Sequence, residues 1–176
     1  MLLLLSGPTA VGKSTIAKEL INSYRFKTVR TGLYLTELAR TRNLGTSRTD
    51  LQLIGDALDI ETDYQWVVDV SAAAIGASFD RGNWIFDCVR KQRQVEHFRE
   101  RYGRFVLHVY LTADESVLNE RYNRRILLGD EYNGNTPYEI AGLHPNEIAA
   151  RQLIGMADLA IKADIDTTQQ TTHRIV

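Results

Sequence analysis

Gly7-Pro8-Thr9-Ala10-Val11-Gly12-Lys13-Ser14 follows the apolar run Leu2–Leu5 after a single Ser6 and opens Ser14–Tyr24. In that stretch Ile16, Ala17, Leu20, Ile21 and Tyr24 share one helical face. The octapeptide fits G-x-x-x-x-G-K-[ST] at every fixed position. A buried strand, a glycine loop and a helix in this order form a cradle for an oxyanion. The glycines let the backbone wrap a phosphate, while successive N–H groups and the helix N-terminus supply partial positive charge. Lys13 supplies a point charge for the β- and γ-phosphates, and the Ser14 hydroxyl can ligate Mg²⁺. The expected ATP-binding segment is therefore Gly7, Pro8, Thr9, Ala10, Val11, Gly12, Lys13, Ser14 and Thr15, with Thr15 in reach of the α-phosphate. The plainer alternative is a glycine turn that only joins strand to helix.

Outward from this loop, short apolar runs alternate with longer amphipathic stretches. Phe26–Arg30 reads as a second strand, Thr31–Arg42 as a helix, and Thr49–Ala77 as one or two more, with Leu51, Ile54, Leu58, Trp66, Val67 and Val70 near helical spacing. Trp84–Asp87 is a compact run of the kind that both faces of a parallel sheet bury. Lys91–Tyr102 reads as a helix stopped by Gly103, and Phe105–Leu111 as the clearest strand. Thr112-Ala-Asp-Glu115 has capping-box spacing for a helix to about Leu128. Gly129–Leu143 reads as a mobile loop or lid, Pro145 as the first turn of a helix to about Met156, Asp158–Ala163 as a last strand, and Thr171–Val176 as a final helix. Repeated strand–helix–strand units predict an α/β fold in three layers around a parallel sheet of about five strands.

The chain has 176 residues, enough for one domain, with 44% apolar and 24% charged side chains and a net charge of −1. That balance argues against a nucleic-acid-binding surface, and the apolar run at Met1–Leu5 is far short of the roughly 18 residues that span a bilayer. A cytoplasmic protein with no nucleic-acid or membrane partner is expected. The single cysteine, Cys88, has no disulfide partner within the chain. Among the 21 basic residues 16 are Arg, the side chain suited to bidentate contacts with phosphate. Charge is also segregated: Thr49–Asp80 holds seven acids and no Lys or Arg, whereas Arg90–Arg104 holds six basic and two acidic residues.

The loop alone leaves several classes open, and absent segments narrow them. No N-K-x-D, T-K-x-D or D-x-x-G segment of a GTPase is present, and Asp87 is followed by Cys88 rather than by the second acid of a remodelling ATPase. Over nearly its whole length the chain resembles the nucleoside monophosphate kinase group, both its adenylate-kinase-like and deoxynucleoside monophosphate kinase branches. Arg30-Thr31-Gly32 is similar to the S-T-G that opens the acceptor helix, and Asp87-Cys-Val-Arg90 to a D-G-x-x-R segment. Glu120-Arg121-Tyr-Asn-Arg124-Arg125 resembles the E-R-L-x-x-R leading into a lid, and Ala157-Asp158-Leu-Ala-Ile161 the A-D-x-x-I of the last strand.

The resemblance implies one kinase domain over residues 1–176, with a helical acceptor-binding region at 31–80 and a lid region at 121–143. It implies catalytic roles for Lys13, Arg90, Arg121 and Arg125, with Arg121 also beside the donor nucleotide, and acceptor binding by Thr31, Gly32 and Arg90. Ser14 and Asp87 would hold Mg²⁺ with ATP, Asp87 through water. Asp87 could instead cap a helix or pair with Arg90, and Arg124 and Arg125 could be surface arginines paired with Glu120 or Asp130. Where the family has T-G-D-x-x-R, this chain has Thr31-Gly-Leu33-Tyr-Leu-Thr36; Arg40, one turn on, or Arg30 is the candidate replacement. Arg151 is expected to face the donor phosphates, and His108 to be a core side chain. The expected activity is ATP-dependent phosphoryl transfer to a nucleoside or deoxynucleoside monophosphate. The alternatives are a kinase for another small acceptor such as dephospho-coenzyme A, with Asp87 as base, and an ATP-binding regulatory module.

Overall fold

The structure, a computed structural model, describes residues 1–76, 79, 82–129 and 136–176. Strands β1 (Leu2–Ser6), β2 (Lys27–Thr28), β3 (Trp84–Phe86), β4 (Val106–Thr112) and β5 (Leu159–Lys162) form one parallel sheet in the order β2-β3-β1-β4-β5. This is the expected α/β architecture. β1 is central because every residue in it is buried; Leu4 pairs with Phe86 on one side and His108 on the other.

Side chains alternate across a strand, so the sheet splits the core in two. Leu2 and Leu4 pack with Trp66, Phe86, Phe98 and Leu153, under α2 (Thr31–Thr41), α3 (Arg48–Glu61), α4 (Trp66–Ile75) and α5 (Gln92–Tyr102). Leu3 and Leu5 pack with Leu20, Ile85, Leu111, Leu118 and Tyr138, under α1 (Lys13–Tyr24), α6 (Glu115–Leu127), α7 (Tyr138–Gly142) and α9 (Thr168–Ile175). Helix α8 (Pro145–Gln152) connects α7 to a 3-10 turn at Leu153–Met156. Among the described residues no helix is long and apolar enough to cross a membrane.

Several expected boundaries move. Thr112 does not cap α6; it ends β4 in register with Lys162, and Asp114 stands at the helix start, its N–H donating to Asp164 at 3.0 Å. Glu115 is engaged elsewhere, accepting from Tyr138 at 2.8 Å, so it cannot reach back to close the box. The loop expected over Gly129–Leu143 is helical at Tyr138–Gly142, where a buried Tyr138 anchors α7. Residues 130–135 of that segment lie outside the described residues, as do Asp80 and Asp130. The final helix begins at Thr168, three residues early, because Thr167 and Gln170 cap it reciprocally.

His108 is fully buried in β4, its Nε2 2.7 Å from Ser6 Oγ and its Nδ1 3.3 Å from the Met156 carbonyl. A carbonyl only accepts, so Nδ1 carries the proton and Ser6 donates to Nε2. Burial pushes the His108 pKa below its ordinary value, against the pull of the Met156 carbonyl. As pH falls below the ordinary histidine value of about 6.5, the unfolded chain takes up a proton that the folded chain refuses. Stability from this group is therefore full above that value and lost on acidification toward the folded pKa. In urea melts compared at roughly pH 7 and pH 5, His108→Gln should show a smaller acid loss than the parent.

Candidate active site

β1 delivers the chain to the carboxyl edge of the sheet, where α/β folds place ligands. There Gly7 turns with φ 137°, Ala10 with φ 62° and Gly12 with φ 107°. A Cβ on Gly7 would stand 2.3 Å from the Leu111 carbonyl oxygen, so the loop leaves β1 in direct contact with β4. Gly12 caps α1 through its carbonyl, which accepts the N–H groups of Thr15 and Ile16 at 3.0 and 3.1 Å. No side chain caps α1, which leaves its first amides to an anion held by the loop.

The Lys13 ammonium donates to the carbonyls of Gly7 and Pro8 at 2.7 and 2.8 Å, folded back on the loop. Burial, with Arg90 adding repulsion, pushes its pKa down to about 8, while Glu147, Cys88 and Asp87 oppose the shift. It is a partly desolvated cation, held where phosphate charge would be needed. Cys88 is exposed by area but crowded at the cleft floor. That crowding, with the Asp87 carboxylate 3.3 Å away, pushes its thiol up to about 12, so it is no nucleophile.

Three cavities adjoin the loop. One of about 320 Å³ lies between Val11, Thr15 and the arginines of α6, closed by Ala163, Asp166 and Thr168. Arg121 forms its wall, donating to the carbonyls of Val11 at 3.2 Å and Ala163 at 3.3 Å. The second, about 260 Å³, is the cleft over the loop, the candidate phosphate cleft, lined by Lys13, Ser14, Asp87, Arg90, Arg125 and Glu147. The third, about 240 Å³, opens under α2 and α3, between Thr31, Asp56, Asp59, Trp66, Lys91 and Asn146. Ala10, Gly12 and Arg125 line both the first and second cavities; Cys88 and Arg90 line both the second and third. The three are thus consecutive, with the phosphate loop in the middle.

The third cavity is mixed in charge. Asp56 and Asp59, three residues apart on α3, share it with Arg90 and Lys91. Trp66 Nε1 donates to Asp59 at 2.7 Å, yet burial still raises the Asp59 pKa. Gln94 holds the turn after β3: its side-chain oxygen accepts the N–H groups of Arg90 at 2.9 Å and Lys91 at 3.2 Å, which fixes Arg90 at the mouth. Ser14 and Asp87 face one cleft, a hydroxyl and a carboxylate that fit a Mg²⁺ ion keeping most of its ligands from water and phosphate. Among the described residues no group of three or more His, Cys, Asp or Glu side chains gathers as a metal site.

The AAA_18 profile, described as AAA domain, matches residues 3–133, about three quarters of the chain, from the second residue of β1 through the whole of β2, β3 and β4. The chain belongs to the AAA_18 family. No curated protein matches this AAA_18 domain. Its fold is shared with a gluconokinase from Sinorhizobium meliloti, at 15% identity and TM-score 0.53, over 97% of this chain and 86% of that one. A shikimate kinase from Aquifex aeolicus matches at 16% identity and TM-score 0.53, over 99% and 93%. A protein from Chloroflexus aurantiacus matches at 17% identity and TM-score 0.60, over 99% and 95%.

The AAA_18 domain gathers most of the residues expected from sequence, but not all. Gly7, Thr9, Ala10, Gly12, Lys13, Ser14, Asp87, Arg90 and Arg125 line the phosphate cleft, and Val11, Thr15 and Arg121 the first cavity. Thr31 lines the third; Gly32, beside it, is exposed and does not. Arg40 is exposed on the last turn of α2, outside that lining, so it does not replace the missing arginine at Leu33–Thr36. Arg151 does not line the cleft over the loop; it is bound to Glu115 and, at 2.9 Å, to the Tyr138 hydroxyl. The helix register puts Glu147, one turn earlier, at the loop instead. Sequence reading placed none of Glu147, Asn146, Asp56, Asp59 and Gln94 at this site; the two aspartates carried a signal in their i, i+3 spacing within the acidic stretch.

Proposed function

We propose that this chain is an ATP- and Mg²⁺-dependent phosphotransferase acting on a small acceptor, with a nucleoside or deoxynucleoside monophosphate as the first candidate. One observation carries the reading: the phosphate loop sits between two cavities that share its lining, so a donor in the first and an acceptor in the third would meet over Lys13 and Arg90. Phosphoryl transfer requires positioning and charge neutralisation more than covalent chemistry. The loop amides and Lys13 hold the donor β- and γ-oxygens, Arg125 reaches from the donor side, and Arg90 draws the acceptor oxygen into line. Arg121, held by two carbonyls, keeps the donor cavity in shape against the loop. When bound, Mg²⁺ neutralises charge between the phosphates, and Ser14 and Asp87 are the residues that would hold it.

The monophosphate reading is supported by the order of segments along the chain. A second reading, a hydroxyl-bearing acceptor without phosphate, is favoured by Asp56 and Asp59, two carboxylates suited to accept from hydroxyls, and by the cavity's lack of any cation from α2. Asp87 is then the base. The gluconokinase and shikimate kinase that share the fold carry acceptors of that kind in their names. ADP release is measured with ATP and Mg²⁺ against ribo- and deoxynucleoside monophosphates, coenzyme A precursors, and hydroxy acids. Acceleration by one monophosphate supports the first reading, and acceleration by an unphosphorylated acceptor the second. ATP binding with no acceleration by any of them would leave a nucleotide-binding module and overturn both.

A further inference from the structure

Helix α8 brings a carboxylate to the phosphate loop. Glu147 Oε2 accepts the backbone N–H of Thr9 at 2.8 Å, and the side chain lines the same cleft as Lys13 and Arg90. Loop amides of this kind suit a phosphate oxygen, and a carboxylate oxygen is a similar anionic acceptor. We propose that Glu147 is an internal stand-in for phosphate, which holds the loop before nucleotide binds and is displaced by an incoming polyphosphate chain. The proposal rests on the reading above that this loop takes a nucleoside triphosphate.

Charge makes the displacement necessary. The cleft has Lys13, Arg90 and Arg125 facing Asp87 and Glu147, and a triphosphate adds several negative charges in the same space. Like charges a few ångströms apart in a partly buried cleft repel. Glu147 also favours the charged form of Lys13, so an incoming polyphosphate competes with it for the same cation.

The geometry also says what moves. α8 is tied at both ends: Asn146 is buried at the acceptor cavity, His144 lies 3.4 Å from Gln52 of α3, and Arg151 is clamped by Glu115 and Tyr138. A half-buried Glu147 side chain between those ties can rotate off Thr9 without shifting the helix. Turnover does not enter this exchange; it is a competition for one set of amides.

Isothermal titration with inorganic pyrophosphate, and with ATP with and without Mg²⁺, tests it on the parent, Glu147→Gln and Glu147→Ala. Glu147→Gln keeps an oxygen for Thr9 but removes the charge. Both variants should bind pyrophosphate and metal-free ATP about tenfold more tightly than the parent. Equal or weaker binding overturns the proposal while leaving the nucleotide site standing. Weaker binding confined to the Mg²⁺ arm would overturn it too, making Glu147 an outer ligand of the metal. Should no protein bind any probe, the nucleotide reading falls and the proposal with it. Thermal melts establish that each variant is folded, and Glu147→Asp, which keeps the charge but shortens the reach to Thr9, should also bind pyrophosphate more tightly than the parent.

Discussion

Lys13→Ala is expected to reduce ATP turnover by about 10²–10³-fold, the scale set by removing one preorganised charge-stabilising group. Lys13 is tethered to the carbonyls of Gly7 and Pro8, so its charge is already placed over the loop before a ligand arrives. Its pKa of about 8 shows that the cleft tolerates the charge only with difficulty, which is the condition under which a cation interacts most strongly with developing phosphate charge. Removing it leaves no other lysine in the cleft lining, and the arginines at 90 and 125 approach from the sides. Lys13→Arg should not restore the rate, because a planar guanidinium cannot take the same two carbonyls and the phosphates as a compact ammonium does. Stability should hold or rise slightly, since a desolvated charge is removed along with its carbonyl bonds. Steady-state ADP release and a thermal melt, run on the same preparations, read both effects. A rate within tenfold of the parent would sink the mechanism.

What the sequence disclosed follows from how local each determinant is. β1, the loop and α1 are legible because Leu2–Leu5, the glycines and the Ile16–Leu20 face each answer a local requirement: burial on two sides, backbone turns, one apolar stripe. Arg90 was legible because the end of a buried strand fixes its place in an α/β sheet. Thr112 was misread because a capping pattern is also just a Thr and a Glu three apart, and strand pairing with Lys162 took precedence. Arg40 and Arg151 failed for another reason: which turn of a helix reaches the cleft depends on packing between α2, α3 and α8, and no local rule sets it. The place of Glu147 at the loop had no local signal for the same reason. Its contact with Thr9 spans 138 residues, and a carboxylate on a phosphate-binding loop runs against the charge logic that marks such loops.

The loop's first glycine offers a test of the fold that needs no substrate. Gly7→Ala should cost about 4 kcal/mol or more, in the range reserved for strained backbone combined with overpacking. Two terms act together. A φ of 137° is one that residues with a Cβ rarely adopt, at a cost of order 1–3 kcal/mol. The added Cβ would also meet the Leu111 carbonyl oxygen at 2.3 Å, and that oxygen belongs to β4, paired to β1 along the middle of the sheet. Neither strand can yield without disturbing the other, since Leu5 and Leu111 are both fully buried. For a chain of this size the loss corresponds to a drop in Tm of roughly 8–16 °C. Gly12→Ala separates the two terms: its φ of 107° carries the backbone penalty, but nothing lies within 4 Å of its Cβ. It should therefore destabilise by only about 1–3 kcal/mol while still impairing nucleotide binding. If Gly7→Ala melted no lower than Gly12→Ala, the close passage of the loop over Leu111 would be wrong, and with it the placement of the phosphate cleft at the junction of β1 and β4.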